Sequence, residues 1–224
     1  MVQVRRAAAY ACVVLCLVAV PVRAGVQDAL RAYGISSREF ERTLNFFYID
    51  RDYDRLMQIT EALVNQEEFV RDTPHVMPFI HFVAVAARQN HDFLQRLRRF
   101  SENSTGVSRE VVREIVYQTE NFRSPEPDTP YHLDFLWAEF TASGDLAPVG
   151  KIISVLDYVP PPKGQKVSDA RVNEALLFYS ARWSLAAHAR QHGKVYDLLR
   201  RRARGHGRVA EVLSRLLQEL PSGR

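Results

Sequence analysis

Apolar and polar positions along this chain recur with the three-to-four-residue period of an amphipathic helix almost from end to end. The two-residue alternation of strands is absent, and so are Asn-Gly and Asp-Gly hairpin turns. The pattern predicts helices over 27–33, 37–49, 53–65, 74–89, 91–100, 108–120, 131–142, 146–157, 168–190, 194–204 and 207–219. Several starts carry their own signal. Ser36 with Glu39 has the spacing of a capping box. Thr73-Pro74 and Thr129-Pro130 each set a capping threonine before a proline at the first helical position. Ser108, just ahead of Glu110, marks another start. Pro78 is expected to delay the fourth helix, since proline is tolerated only in a first turn. Two loops interrupt the series, 121–130 (NFRSPEPDTP) and the semi-rigid 159–166 (VPPPKGQK).

An internal repeat emerges when four polar turns are aligned on Asp52, Asn90, Asp145 and Gln191. Eight residues before each stands a bulky apolar group: Leu44, Phe82, Trp137 and Trp183. Five before stand Phe47, Val85, Phe140 and Ala186; four after, Leu56, Leu94, Val149 and Val195; seven after, Ile59, Leu97, Ile152 and Leu198. Each unit reads as helix, short turn, helix. A helix hairpin cannot bury its apolar face alone, so neighbours stack. The spacings of 38, 55 and 46 residues are irregular. The expected fold is therefore all-α: a single domain of stacked helical hairpins, an irregular α-solenoid in the style of tetratricopeptide (TPR-like) repeats.

The first 24 residues break the pattern. Arg5 and Arg6 precede an apolar stretch over 7–20, Pro21 ends it, and Val22-Arg23-Ala24 offers a cleavage site before Gly25. This is the layout of a signal peptide, and the apolar stretch is too short to span a bilayer. The expected division is thus a leader over 1–24 and a helical domain over 25–224, exported to the periplasm or secreted. Without the leader the chain has 27 basic residues against 26 acidic, so bulk charge does not favour nucleic acid. Both cysteines, Cys12 and Cys16, fall in the leader. That excludes disulfides, cysteine nucleophiles and thiolate metal sites from the remainder. The charge is uneven: residues 181–224 hold ten Arg or Lys against three Asp or Glu, while 25–180 balance at −6. No stretch after the leader is long and apolar enough to cross a membrane.

Residues 133–145 read LDFLWAEFTASGD and residues 181–195 read ARWSLAAHARQHGKV. The matching positions are Leu136, Trp137, Phe140, Ala142, Ser143, Gly144 and Asp145, then Trp183, Ser184, Leu185, Gln191 and His192. Together they resemble an uncharacterised family of exported bacterial α-helical proteins. The resemblance covers mainly the C-terminal half. It implies a helical fold and a location in the bacterial envelope, and it implies no reaction.

Few residues invite chemistry. His188 and His192 share a face if one helix runs through both, but no third ligand stands near and the surroundings are rich in arginine. His75 and His81 flank an apolar run, where a histidine is ordinarily hydrogen-bonded core. Glu67-Glu68 and Glu126 with Asp128 sit at helix ends and in a loop, the setting of solvated charge. Ser184 lacks the glycines of a nucleophile elbow. No phosphate loop or dinucleotide fingerprint occurs, so no catalytic, metal or cofactor residue is assigned. Trp137, Phe140, Tyr179 and Trp183 remain as anchors for a protein partner, against a structural role in locking one helix to the next. Arg200, Arg201, Arg202 and Arg204 form a dense basic run suited to anionic lipid or lipopolysaccharide. The expected function is an exported, non-catalytic protein that binds another protein. Peripheral attachment through the basic helices, or an unrecognised enzyme, are the alternatives.

Overall fold

The computed structural model describes residues 24–159 and 168–220. The leader expected over 1–24 lies outside them apart from Ala24, as does most of the 159–166 loop. Among the described residues the regular elements are twelve α-helices and one 3₁₀ turn. They are α1 (Ala24–Ala32), α2 (Ser37–Asp50), α3 (Tyr53–Val64), α4 (Glu67–Val70), α5 (Thr73–Arg88), α6 (His91–Asn103) and α7 (Gly106–Glu120). There follow α8 (Pro130–Ser143), α9 (Ala147–Ser154), the 3₁₀ turn (Val155–Asp157), α10 (Asp169–Gln191), α11 (Gly193–Ala203) and α12 (Arg208–Glu219). The all-α helical-hairpin fold read from the periodicity is the fold of the protein. Only the single turn of α4 had no counterpart in the pattern, being too short to show a period. None of the helices is long and apolar enough to cross a membrane.

The chain falls into two compact units. The N-terminal unit comprises residues 24–124 with 137–144; the C-terminal unit comprises 125–136 with 145–220.

The N-terminal unit is organised on α5. Its buried residues run almost unbroken from Val76 to Ala87, so the helix is apolar nearly all round and is enclosed by α4, α6 and α7. Phe82 meets Phe47 edge to face at 5.7 Å, and Phe79 meets Phe69 at 5.5 Å. Pro78 does not delay this helix: α5 begins at Thr73 and runs through Pro78, with Asp72 in the capping position. The missing N–H costs about 3 kcal/mol in an open helix. Here the buried faces on either side of the proline outweigh it. Ser108 is likewise not a cap, since α7 starts at Gly106; its hydroxyl donates to the carbonyl of Val64 at 3.0 Å.

Thr73 is not a cap either, because α5 begins with it and Asp72 stands in the capping position. Ser36 and Glu39 close a reciprocal capping box. Three of the four polar turn residues of the repeat satisfy orphan N–H groups at the helix that follows; the fourth, Gln191, is instead the last residue of α10. Asp52 accepts from Arg55 N at 2.8 Å, Asn90 from Phe93 N at 2.9 Å, and Asp145 from Ala147 N at 3.0 Å.

In the C-terminal unit the long helix α10 packs on α9, the 3₁₀ turn and α11, and α11 packs on α12. Phe178, Ala181, Leu185 and Ala189 form the buried stripe of α10 at three- and four-residue steps. Val195 and Leu199 of α11 and Leu213 and Leu216 of α12 are buried as well.

Candidate functional site

The internal repeat identifies a site by failing in its last unit. At the position eight residues before the turn, Leu44 is 2 %, Phe82 0 % and Trp137 2 % exposed, whereas Trp183 is 40 % exposed. One turn earlier on α10, Tyr179 is 56 % exposed, and Val172 is exposed on the same side. Residues four and seven apart lie on one helical face, so Val172, Leu176, Tyr179 and Trp183 make an apolar stripe along α10. The four aromatic anchors expected from the sequence thus separate. Trp137 and Phe140 are inside; their rings meet at 6.0 Å, and Phe140 also meets Tyr48 at 5.2 Å. As anchors for a partner they are corrected, because a folded chain cannot present them. Tyr179 and Trp183 remain available.

Beside this stripe lies a groove of about 350 Å³ between α10 and α12. Phe178, Tyr179 and Val212 supply its apolar lining, and Arg182, Arg208 and Arg215 its cations. Two of the three arginines are committed. Arg182 donates to both carboxylate oxygens of Glu219 at 2.5 Å. Arg208 donates to the carbonyl of Tyr158 at 2.9 Å and stands over the Phe178 ring at 5.9 Å. Arg215 is exposed and has no ion pair among the described residues; Glu211, one turn before it, also lines the groove without pairing to it. A second hollow of about 390 Å³ opens on the adjoining face of α12, against the 205–207 turn, and Glu211 and Arg215 line it too.

Arg200, Arg201, Arg202 and Arg204 are exposed at the end of α11 and just after it. None of the four forms an ion pair among the described residues. The basic run is therefore uncommitted charge, as the sequence suggested, on the helix that packs against α12.

The buried polar groups read differently. His188 and His192 stack with ring centroids 5.4 Å apart and an interplanar angle of 16°. Helix α10 ends between them, so the four-residue spacing serves packing across a helix end. Burial, and then the neighbouring His192, push the His188 pKa down to about 3. His81 Nε2 meets Glu139 Oε1 at 2.9 Å, and its Nδ1 meets Gln118 Oε1 at 3.3 Å. Gln118 Nε2 donates to Glu114, so its oxygen faces His81. The ring also stacks on Phe122 at 5.4 Å, which accounts for His81 as core. Ser184 donates to the carbonyl of Ala181, as a serine inside a helix does. Glu67 pairs with Arg71 and Glu126 with Lys151. Among the described residues no three His, Asp or Glu gather as metal ligands.

Asp134 was not legible as special. It is 3 % exposed on α8, its Oδ2 lacks a hydrogen-bond partner, and burial pushes its pKa up to about 8. Nor did the sequence single out Arg215 and its groove. A signal existed: Arg208, Glu211 and Arg215 recur at three- and four-residue steps opposite the buried Ala210, Leu213 and Leu216.

The residues that carry the resemblance to exported helical proteins have structural duties in the first segment. Leu136, Trp137, Phe140 and Ala142 are buried. Gly144 has φ +75, and a Cβ there would stand 2.9 Å from Tyr48 Cδ2, so only glycine fits the turn. Asp145 Oδ1 then accepts from Ala147 N at the start of α9. Comparison with family models, curated proteins and solved structures gives no match.

Proposed function

We propose that this is an exported, non-catalytic helical protein of the bacterial envelope whose C-terminal unit docks a protein partner. One observation carries the reading: Tyr179 and Trp183 stand exposed beside an open groove, in a register whose other members are buried. Large aromatics beside a concave surface are the side chains on which binding energy concentrates. Export rests on the leader-like residues 1–24 and on the resemblance of 133–145 and 181–195 to exported helical proteins.

The test is capture from an envelope fraction with the tagged protein and with a Tyr179→Ala, Trp183→Ala double variant. The double variant should keep its far-ultraviolet spectrum and lose the captured protein. Equal capture by both removes the aromatic face from the reading. N-terminal sequencing of the exported protein should begin at Gly25; an intact Met1 would remove the leader.

A second reading is favoured by the uncommitted Arg200, Arg201, Arg202 and Arg204, which would hold the protein against an anionic lipid or lipopolysaccharide surface. Co-sedimentation with phosphatidylglycerol vesicles should then be lost at high salt and on reversing these charges.

A further inference from the structure

We infer that the two hollows that meet along Glu211 and Arg215 of α12 form one docking surface for an acidic polypeptide segment, with Arg215 as its central carboxylate anchor. This rests on the protein-docking reading and assigns the chemistry of the partner. Three observations converge on it.

The first is continuity. Arg215 and Glu211 line both hollows, so a segment laid across α12 passes Arg215 whichever hollow it enters first. The second is availability. Arg182 is held by Glu219 and Arg208 by the Tyr158 carbonyl, which leaves Arg215 as the groove cation whose donors are unspent among the described residues. A guanidinium presents a planar fork that fits a carboxylate with two parallel hydrogen bonds. The third is charge complementarity. Residues 181–224 carry ten basic side chains against three acidic, and the exposed Arg200, Arg201, Arg202 and Arg204 add a field that steers acids toward α12. The apolar lining by Phe178, Tyr179 and Val212 gives that segment a seat for an aromatic or aliphatic side chain. A flat lipid surface would use the arginines but would leave this concave seat empty, so a polypeptide fits the surface better.

Glu211 belongs to the same geometry. It lines both hollows, carries the wrong sign for an acidic guest and has no ion pair among the described residues. It therefore sets an upper limit on affinity, and neutralising it should tighten binding.

The chain has two tryptophans, and Trp183 is the exposed one, so its emission reports on this face. The probe is a short synthetic peptide of glutamates interspersed with phenylalanine and leucine, titrated into the purified protein. Its counterpart with glutamine in place of glutamate is the comparison, and phosphatidylglycerol vesicles are the third ligand. The acidic peptide should shift the tryptophan emission, and Trp183→Phe should abolish that response. Arg215→Glu should weaken binding at least about tenfold. Arg38→Glu changes net charge equally, on the exposed face of α2, and should leave affinity within about twofold. Glu211→Gln should strengthen binding.

Equal weakening by Arg215→Glu and Arg38→Glu would overturn the anchor, since it reports bulk charge alone. Equal binding of the glutamine peptide would overturn the acidic assignment while leaving the protein-docking reading standing. A response to vesicles with none to either peptide would overturn both, and would assign the arginines to a lipid surface.

Discussion

Each unit of this protein carries an open groove lined by arginines and carboxylates, and the two differ in what is left to bind. The groove of the N-terminal unit, about 510 Å³, is lined by Glu39, Arg42, Phe47, Asp50, Asp52 and Arg55 among others. Its charges are spent on one another. Arg42 meets Asp50 at 3.0 Å, Arg55 meets Glu39 at 3.5 Å, and Asp52 caps α3. The groove of the C-terminal unit is smaller, yet it keeps Arg215 uncommitted and borders two exposed aromatics. Volume and composition would rank the first groove higher. The commitment of the side chains ranks the second.

The same contrast holds in the repeat, and the largest predicted effect tests it there. Phe82 and Trp183 occupy the same register, eight residues before a polar turn. Phe82 is fully buried against Phe47, so Phe82→Ala should destabilise the protein by about 3–5 kcal/mol. Trp183→Ala removes a side chain 40 % exposed and should cost clearly less than Phe82→Ala, about 1–2 kcal/mol, while impairing partner capture. Urea unfolding of both variants makes the comparison. A Trp183→Ala cost equal to that of Phe82→Ala would return Trp183 to the core and take away the exposed edge of the site.

The next effect concerns pH and two buried groups of the C-terminal unit with opposite signs. Asp134 has its folded pKa raised from 3.8 to about 8. The native state therefore holds a proton that the unfolded chain releases, and stability falls as pH rises from about 4 to about 8. His188 has its folded pKa lowered from 6.5 to about 3. The unfolded chain takes up a proton that the native state refuses, so stability falls as pH drops from about 6.5 to about 3. Each slope amounts to about 1.4 kcal/mol per pH unit at most. Between pH 4 and 6.5 the two cancel, and their joint contribution should be flat there and decline on both sides. Asp134→Asn should flatten the alkaline limb and extend the acid limb up to about pH 6.5, because the His188 slope then stands alone. Urea midpoints from pH 3 to 9 read the outcome; an alkaline limb that survives Asp134→Asn belongs to another group.

These groups also show how far the sequence can be read. The helix start at Ser36 was legible because capping is local, its partner N–H lying three residues away, whereas Asp52 and Asn90 were read only as polar turns and the structure adds that they cap. Buried Phe47, Phe82 and Ile152 were legible because periodicity reports burial. Pro78 was misleading because a local penalty was set against packing with other helices, which no local window contains. Trp183 and Trp137 share a register and a residue type, so only the structure could distinguish the buried one from the exposed one. Arg215 was hidden for a similar reason. Its availability depends on Glu219 and the Tyr158 carbonyl holding the other two arginines, and those contacts span 37 and 50 residues.

A smaller effect sharpens the reading of the segment 133–145. Gly144 sits at φ +75 with Tyr48 against the place a Cβ would occupy. Gly144→Ala should cost about 1–2 kcal/mol, from the left-handed backbone and from displacing the tyrosine. Gly34 has φ +69 with nothing within 4 Å of a Cβ, so Gly34→Ala isolates the backbone part. The difference between the two variants measures the Tyr48 contact. Equal costs would mean that Tyr48 yields freely.

The smallest effect returns to the two grooves. Arg42 and Asp50 are both well exposed, so their ion pair is screened by water, and Arg42→Ala should change stability by less than about 1 kcal/mol. Its consequence for binding is the sharper measurement. Removing Arg42 frees Asp50 in a groove that already holds Asp52, while removing Glu219 would free Arg182 beside Arg215. If commitment decides which groove binds, Arg42→Ala should leave the affinity for an acidic peptide unchanged. Glu219→Gln should raise that affinity by supplying a second unspent guanidinium to the same guest. An increase from Arg42→Ala, or none from Glu219→Gln, would mean that the internal ion pairs do not govern what these grooves can hold.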